Sequence, residues 1–253
     1  MLATIEQWLT FKPNKIDHGE LSRFEHERIS FGESHGLLLD GAVIPSSSSN
    51  RIVLFIHGNK HNITRFGEHY NLCRALGYSC FTFDFPGYGK SDGKPSEASV
   101  YASAHAAYEY VLHKLCFDSK DIIIYGCSLG GAVAIELAQY AQASCLITES
   151  TFTNTTDMAM HLYPWLPIHS LLTPKFNNKS KVSSLSIPHL LIHGTEDTQV
   201  PVHMAHQLHL TAAASAKLIT VPAAGHTDSL TIGGSKLINQ IKSFIESISN
   251  ERS

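Results

Sequence analysis

Three segments of this chain read Gly-x-Ser-x-Gly, and the flanks of only one of them can present a serine as a chemical group. Gly126-Cys127-Ser128-Leu129-Gly130 follows the apolar, β-branched run Ile122-Ile123-Ile124-Tyr125. It leads into Gly131-Ala132-Val133-Ala134-Ile135-Glu136-Leu137-Ala138, which has helix composition and an apolar face. A strand thus delivers a serine to the start of a helix. That order demands a sharp turn with unusual backbone angles, and it demands glycine two residues before and two after, where a Cβ would meet neighbouring backbone. Gly89-Lys90-Ser91-Asp92-Gly93 lies between Pro86-Gly87 and Lys94-Pro95, and the residue before a proline is pushed out of the helical region, so this segment reads as a loop. Gly32-Glu33-Ser34-His35-Gly36 separates two short strand-like runs and reads as a hairpin turn. Ser128 is therefore the candidate nucleophile. The unpaired N–H groups and positive dipole end of the following helix favour negative charge developing beside it.

Around this elbow the runs alternate. Arg51–Ile56, Tyr78–Phe83, Ile122–Tyr125, Cys145–Thr148, Leu190–Ile192 and Leu218–Val221 read as strands. Helical stretches near Arg65–Leu76, Glu97–Leu115 and from Leu129 lie between them, with further helices after the last two strands. The alternation predicts an α/β fold with a mostly parallel central sheet and helices on both faces, with two N-terminal strands forming an antiparallel edge. A chain of 253 residues, 43% of them hydrophobic, can bury one large core, and no linker interrupts it, so residues 1–253 are expected to form one domain. Ser46-Ser47-Ser48-Ser49-Asn50 is expected to be a flexible loop. Residues 150–188 break the rhythm with an apolar insertion after a strand end, where open α/β sheets bind ligands. This stretch is expected to form a small lid, with Phe152, Met158, Leu162 and Trp165 lining an acyl pocket.

Several function classes are set aside by composition. The formal charge of −3 and scattered Lys and Arg leave no basic stripe for nucleic acid. Five cysteines, an odd number without paired metal spacing and mostly in or beside apolar runs, fit free thiols in a reduced, cytoplasmic compartment. No stretch approaches the ~18 apolar residues of a membrane span. The apolar spacing within residues 2–11 could mark a helix touching a membrane, but a short helix docked on its own domain is the preferred expectation. His203, His206 and His209 would spread over about 120° of a helix surface, too wide for one metal ion. Gly87-Tyr88-Gly89-Lys90-Ser91-Asp92 departs from a dinucleotide fingerprint at its last position. No metal and no cofactor are expected.

A serine hydroxyl becomes a nucleophile when a histidine takes its proton, and a carboxylate must fix that histidine's tautomer. Asp197 follows the strand ending at His193-Gly194, and Gly225-His226 follows the next strand. The order Ser128, Asp197, His226 suits this purpose, with Glu149 as the rival carboxylate. Phe55-Ile56-His57-Gly58-Asn59-Lys60 ends the first parallel strand, where the Asn59 amide would pair with that of Leu129 as an oxyanion hole and His57 would hold the loop.

These segments, with Asp84-Phe85-Pro86-Gly87-Tyr88-Gly89-Lys90-Ser91 and Glu149-Ser150-Thr151-Phe152, stand in the order of the α/β-hydrolase superfamily, which the chain resembles from about Ile52 to its last helix. Within it the chain looks most like small serine hydrolases of the acyl-protein depalmitoylase and acylaminoacyl-peptidase kinds. Dehalogenases and epoxide hydrolases of this fold carry aspartate where Ser128 stands. The resemblance implies a carboxylic ester hydrolase working on a small-molecule ester or thioester through an acyl-enzyme. A lid of this length suits short to medium acyl chains. The alternatives are a peptidase, whose relatives usually carry a gating N-terminal domain, and a ligand-binding protein on a hydrolase scaffold.

Overall fold

The structure, a computed structural model, describes residues 10–32, 36–165 and 175–251. Ser34, most of the apolar N-terminal segment, and Leu166, Leu171 and Leu172 of the expected lid lie outside the described residues.

Eight strands form one sheet: β1 Glu27–Gly32, β2 Leu38–Ile44, β3 Ile52–Ile56, β4 Ser79–Phe83, β5 Ile122–Cys127, β6 Cys145–Glu149, β7 His189–Gly194 and β8 Lys217–Val221. Their spatial order is β1-β2-β4-β3-β5-β6-β7-β8. The β1–β2 and β2–β4 pairs are antiparallel and every later pair is parallel. The helices are α1 Gly67–Leu76, α2 Glu97–His113, α3 Leu129–Leu137, α4 Thr155–Leu162, α5 Asn178–Lys181, α6 Val202–Thr211 and α7 Ser229–Glu251, the last bent at Gly234 where φ is 51°.

Strand side chains alternate in direction, so one strand feeds two cores. Ile52, Leu54, Ile56, Ile122, Ile124 and Leu146 pack with α2, α3 and α6 through Val100, Ala104, Ala132, Val133 and Met204. Val53, Phe55, Ile123, Tyr125, Cys145 and Ile147 pack on the other face with α1 and α7 through Tyr70, Leu72, Ile241 and Phe244. Burial on both faces is why β3, β5 and β6 read as continuous apolar runs. Four of the five free cysteines, Cys73, Cys80, Cys127 and Cys145, are buried and Cys116 is exposed. The serine-rich loop is tied down: Ser46 Oγ donates to the Gly77 carbonyl at 2.8 Å, and its amide donates to Ser79 Oγ at 3.0 Å. No helix among the described residues is long and apolar enough to cross a membrane.

The segment from Thr10 to Arg23 has no counterpart in the sequence reading. It runs as an arm along the carboxyl end of β3, where Lys12–Pro13 pairs in parallel with Lys60–His61. Asn62 Nδ2 donates to the Asn14 and Ile16 carbonyls, Gly89 N to the Asn14 carbonyl, and the Glu20 carboxylate accepts from Gly67 N and pairs with Arg65. The Phe11 side chain is buried edge-on to Phe176, which meets Phe152 in turn.

Candidate active site

Ser128 sits at the turn between β5 and α3 with φ 54° and ψ −117°, a conformation a non-glycine residue holds only under constraint. The constraint comes from packing. A Cβ on Gly126 would strike the Gly130 carbonyl, and one on Gly130 would strike the carbonyls of Ile56 and His57, so helix and strands close tightly under the serine. Ser128 N donates to the Glu149 carbonyl at 2.8 Å, tying the elbow to the end of β6.

The loops after β7 and β8 are stitched to one another, with Thr195 N donating to the Val221 carbonyl and Glu196 N to that of Ala224. A Cβ on Gly194 would strike the Ala224 carbonyl, so glycine permits this approach. The approach brings Asp197 and His226 together: His226 Nδ1 lies 2.7 Å from Asp197 Oδ2, and its Nε2 lies 3.1 Å from Ser128 Oγ. The ring therefore donates through Nδ1 to the carboxylate and accepts the serine hydroxyl proton through Nε2. Asp197 Oδ1 accepts from the amides of Gln199 and Val200 at 2.9 and 2.8 Å. Burial raises the Asp197 pKa, but hydrogen bonds from His193 and His226 outweigh it and hold the carboxyl well below the usual carboxylate range. His193, which the sequence reading left without a role, donates from Nε2 to the Val200 carbonyl at 2.7 Å and stands 3.3 Å from Asp197 Oδ2. Its signal was its place at the strand end four residues before the aspartate.

Glu149 has different partners. It is buried beneath the elbow and accepts from Tyr125 Oη at 2.7 Å and His69 Nε2 at 3.0 Å. Burial pushes its pKa up, but His69 and Tyr125 more than reverse this and keep it ionised. Ser91 is buried too, donating to the Asp84 carbonyl at 2.7 Å and accepting from Asp40 N at 2.9 Å.

The turn after β3 faces the serine: a Cβ on Gly58 would lie 3.4 Å from Ser128 Cβ. His57 Nδ1 donates to the Gly58 carbonyl at 2.7 Å, fixing the peptide whose other end is the Asn59 amide. His57 Nε2 lies 3.6 Å from Asp84 Oδ1, yet it accepts the Phe85 amide at 3.3 Å. The contact is therefore made by a neutral imidazole and is no ion pair: burial lowers the His57 pKa to about 4 and raises that of Asp84 to about 7. Asn59 is braced from behind. Its carbonyl accepts from Tyr88 Oη at 2.9 Å and Lys12 N at 3.3 Å, and its Nδ2 donates to the Thr10 carbonyl at 3.1 Å. Among the described residues neither the Asn59 nor the Leu129 amide meets a protein acceptor.

The expected pocket residues do not share one setting. Phe152 is buried and Met158 half-buried, whereas Leu162 and Trp165 are 50% and 73% exposed. Asn178 draws the ends of the insertion together, donating from Nδ2 to the Phe152 carbonyl at 2.8 Å. Of the three histidines on α6, His203 and His206 are exposed and His209 Nε2 donates to the Ala216 carbonyl at 3.2 Å.

This sheet order, with a strand-turn-helix serine on β5 and an aspartate and a histidine after β7 and β8, defines a class, and the chain belongs to the α/β-hydrolase superfamily. The α/β hydrolase fold family matches residues 51–176, and the TAP-like protein family matches residues 168–250. Among individual relatives, the uncharacterized protein Rv2307c of Mycobacterium tuberculosis is 32% identical over 212 residues, spanning 83% of this chain and 75% of its own length. Protein bem46 of Schizosaccharomyces pombe is 32% identical, spanning 81% of this chain and 72% of its own. Lysophosphatidylserine lipase ABHD12 of Danio rerio is 32% identical, spanning 68% of this chain and 50% of its own. Among solved structures, the Pyrococcus furiosus esterase Pf2001 aligns with a TM-score of 0.78 at 19% identity, covering 95% of this chain and 98% of that one.

Proposed function

We propose that this hydrolase is a serine hydrolase that cleaves carboxylic esters or thioesters of short to medium acyl chains through an acyl-enzyme on Ser128, residues 1–253 acting as one domain. One observation carries the reading: the unbroken relay from Ser128 Oγ through His226 to Asp197, at 3.1 and 2.7 Å. In the first half-reaction His226 Nε2 takes the hydroxyl proton as Oγ bonds to the substrate carbonyl carbon. Asp197, kept ionised by His193, His226 and the amides of Gln199 and Val200 around it, holds the tautomer and balances the imidazolium that forms. The carbonyl oxygen becomes an oxyanion, which the Asn59 and Leu129 amides receive, aided by the positive end of α3. His226 then gives its proton to the departing alcohol or thiol. Water repeats the sequence on the acyl-enzyme, with His226 again the base, and frees the acid. The esterase and lipase names among the relatives support the class of reaction.

Phe152 and Met158, on the inner side of the insertion, suit an acyl wall better than the exposed Leu162 and Trp165. Each buried methylene adds about 0.8 kcal/mol, so kcat/KM should rise with acyl length until the pocket fills, at roughly four to eight carbons. A series of p-nitrophenyl esters from acetate to laurate reads this directly. A steady rise through laurate would contradict a short acyl pocket, and no turnover of any member would contradict the esterase reading.

A further inference from the structure

At the mouth of this site two lysines are paired across neighbouring strands, with no counter-charge among the described residues. Lys12 on the arm and Lys60 after β3 are opposite each other in a parallel pair, and both are exposed. Like charges directly opposite in a strand pair disfavour the pairing. A chain that only needed the arm to dock would do better with a neutral residue at either position. Among the described residues no carboxylate lies within ion-pair distance of either lysine. Among the described residues the one polar contact of the Lys60 side chain is to a neutral group, Nζ donating to Gln199 Oε1 at 3.2 Å. That contact fixes the place of the cation. Gln199 N is bonded to Asp197, and Lys60 is the residue after Asn59, so the ammonium bridges the rim between the oxyanion turn and the aspartate loop. Arg65, the next cation along the chain, is already answered by Glu20.

We propose that Lys60 and Lys12 form an anion subsite, and that the substrates are esters whose acyl or alcohol part carries a carboxylate or phosphoryl group. The inference rests on the esterase reading and deepens it. Bound substrate would supply the missing counter-charge, relieve the repulsion within the pair, and be drawn toward the site by an uncompensated positive rim. The repulsion is thus tolerated in the free protein because it is discharged in the complex.

The test compares matched esters in the full-length protein. One pair places the anion on the acyl side: mono-p-nitrophenyl glutarate against p-nitrophenyl pentanoate. The other places a phosphoryl group on the alcohol side: butyryl-glycerol 3-phosphate against monobutyrin. In at least one pair wild-type kcat/KM should favour the anionic member, and that preference should shrink as salt is raised. The pair showing the preference identifies which part of the substrate meets the lysines. K60Q and K12Q should each cut the anionic-to-neutral ratio about fivefold, the scale of a good exposed ion pair, and K60E should invert it. Because the readout is a ratio within one protein, a change in folded fraction cancels. A ratio at or below one in both pairs, or one that survives both substitutions, overturns the subsite while leaving the esterase reading standing. Failure to hydrolyse any of the four esters would remove the esterase reading and the subsite with it.

Discussion

Two buried carboxylates end adjacent regions of the sheet, and their partners set them apart. Asp197 takes His226 and two backbone amides, whereas the Glu149 carboxylate hydrogen-bonds Tyr125 and His69 below the elbow and reaches His226 only through its charge. D197N should therefore leave His226 in the wrong tautomer and lower kcat by up to about ten-thousandfold, as in other triads. E149Q should lower kcat far less and show its effect in thermal stability, because it loosens a buried network under the turn. Steady-state kinetics with one activated ester ranks the two; the reverse ranking would move the acid role to Glu149. The grouping of Ser128, Asp197 and His226 was legible in the sequence because each follows an apolar strand-like run, which puts all three at the same end of the sheet. Ser91 could be set aside from its prolines, and the structure shows its hydroxyl engaged with Asp84 and Asp40. His193 was not legible, since sixteen histidines dilute any one of them and its partner is a carboxylate reached only after the loop folds back.

At the scale of elements, the turn after β3 is held by parts far apart in sequence. His57 holds the Gly58 carbonyl, Tyr88 and Lys12 hold that of Asn59, and the arm is in turn locked by Asn62 and Glu20. Y88F removes one hydroxyl from this brace and keeps the buried ring. If the Asn59 amide receives the oxyanion, its small displacement should lower kcat by about tenfold with KM nearly unchanged, since removing a donor outright costs roughly a hundredfold or more. A rise in KM with kcat preserved would mean that Tyr88 shapes the binding site instead. The sheet and its helices could be read from periodicity because β3 to β7 are buried runs bounded by turn residues. The arm could not, because its two-residue strand has no period and its hydrogen bonds are mostly from backbone groups that any sequence carries. The four pocket residues were chosen for being apolar, and that criterion does not separate the inner Phe152 from the exposed Trp165.

The whole molecule carries buried ionisable groups whose shifts oppose each other. Burial lowers His57 to about 4 and His189 to about 3, so each adds stability that is complete above the ordinary histidine value of 6.5 and is lost as pH falls toward the folded value. Burial raises Asp84 from 3.8 to about 7, so its contribution is complete below 3.8 and is lost as pH rises through 7. Near pH 5 the unfolded chain binds two more protons at the histidines and one fewer at Asp84, a net excess of about one. These three groups should make unfolding free energy fall by about 1.4 kcal/mol for each pH unit of acidification in this window. Urea titrations between pH 4.5 and 6 measure the slope; a flat or opposite trend would contradict the dominance of these three groups in this window. One serine out of all those in the chain should be activated by its neighbours, and labelling of the folded protein with a fluorophosphonate, followed by peptide mass spectrometry, reads this out. Rapid modification is expected at Ser128, lost in S128A and strongly slowed in D197N. Modification at Ser91 or Ser34, or none while the protein remains folded, would contradict it.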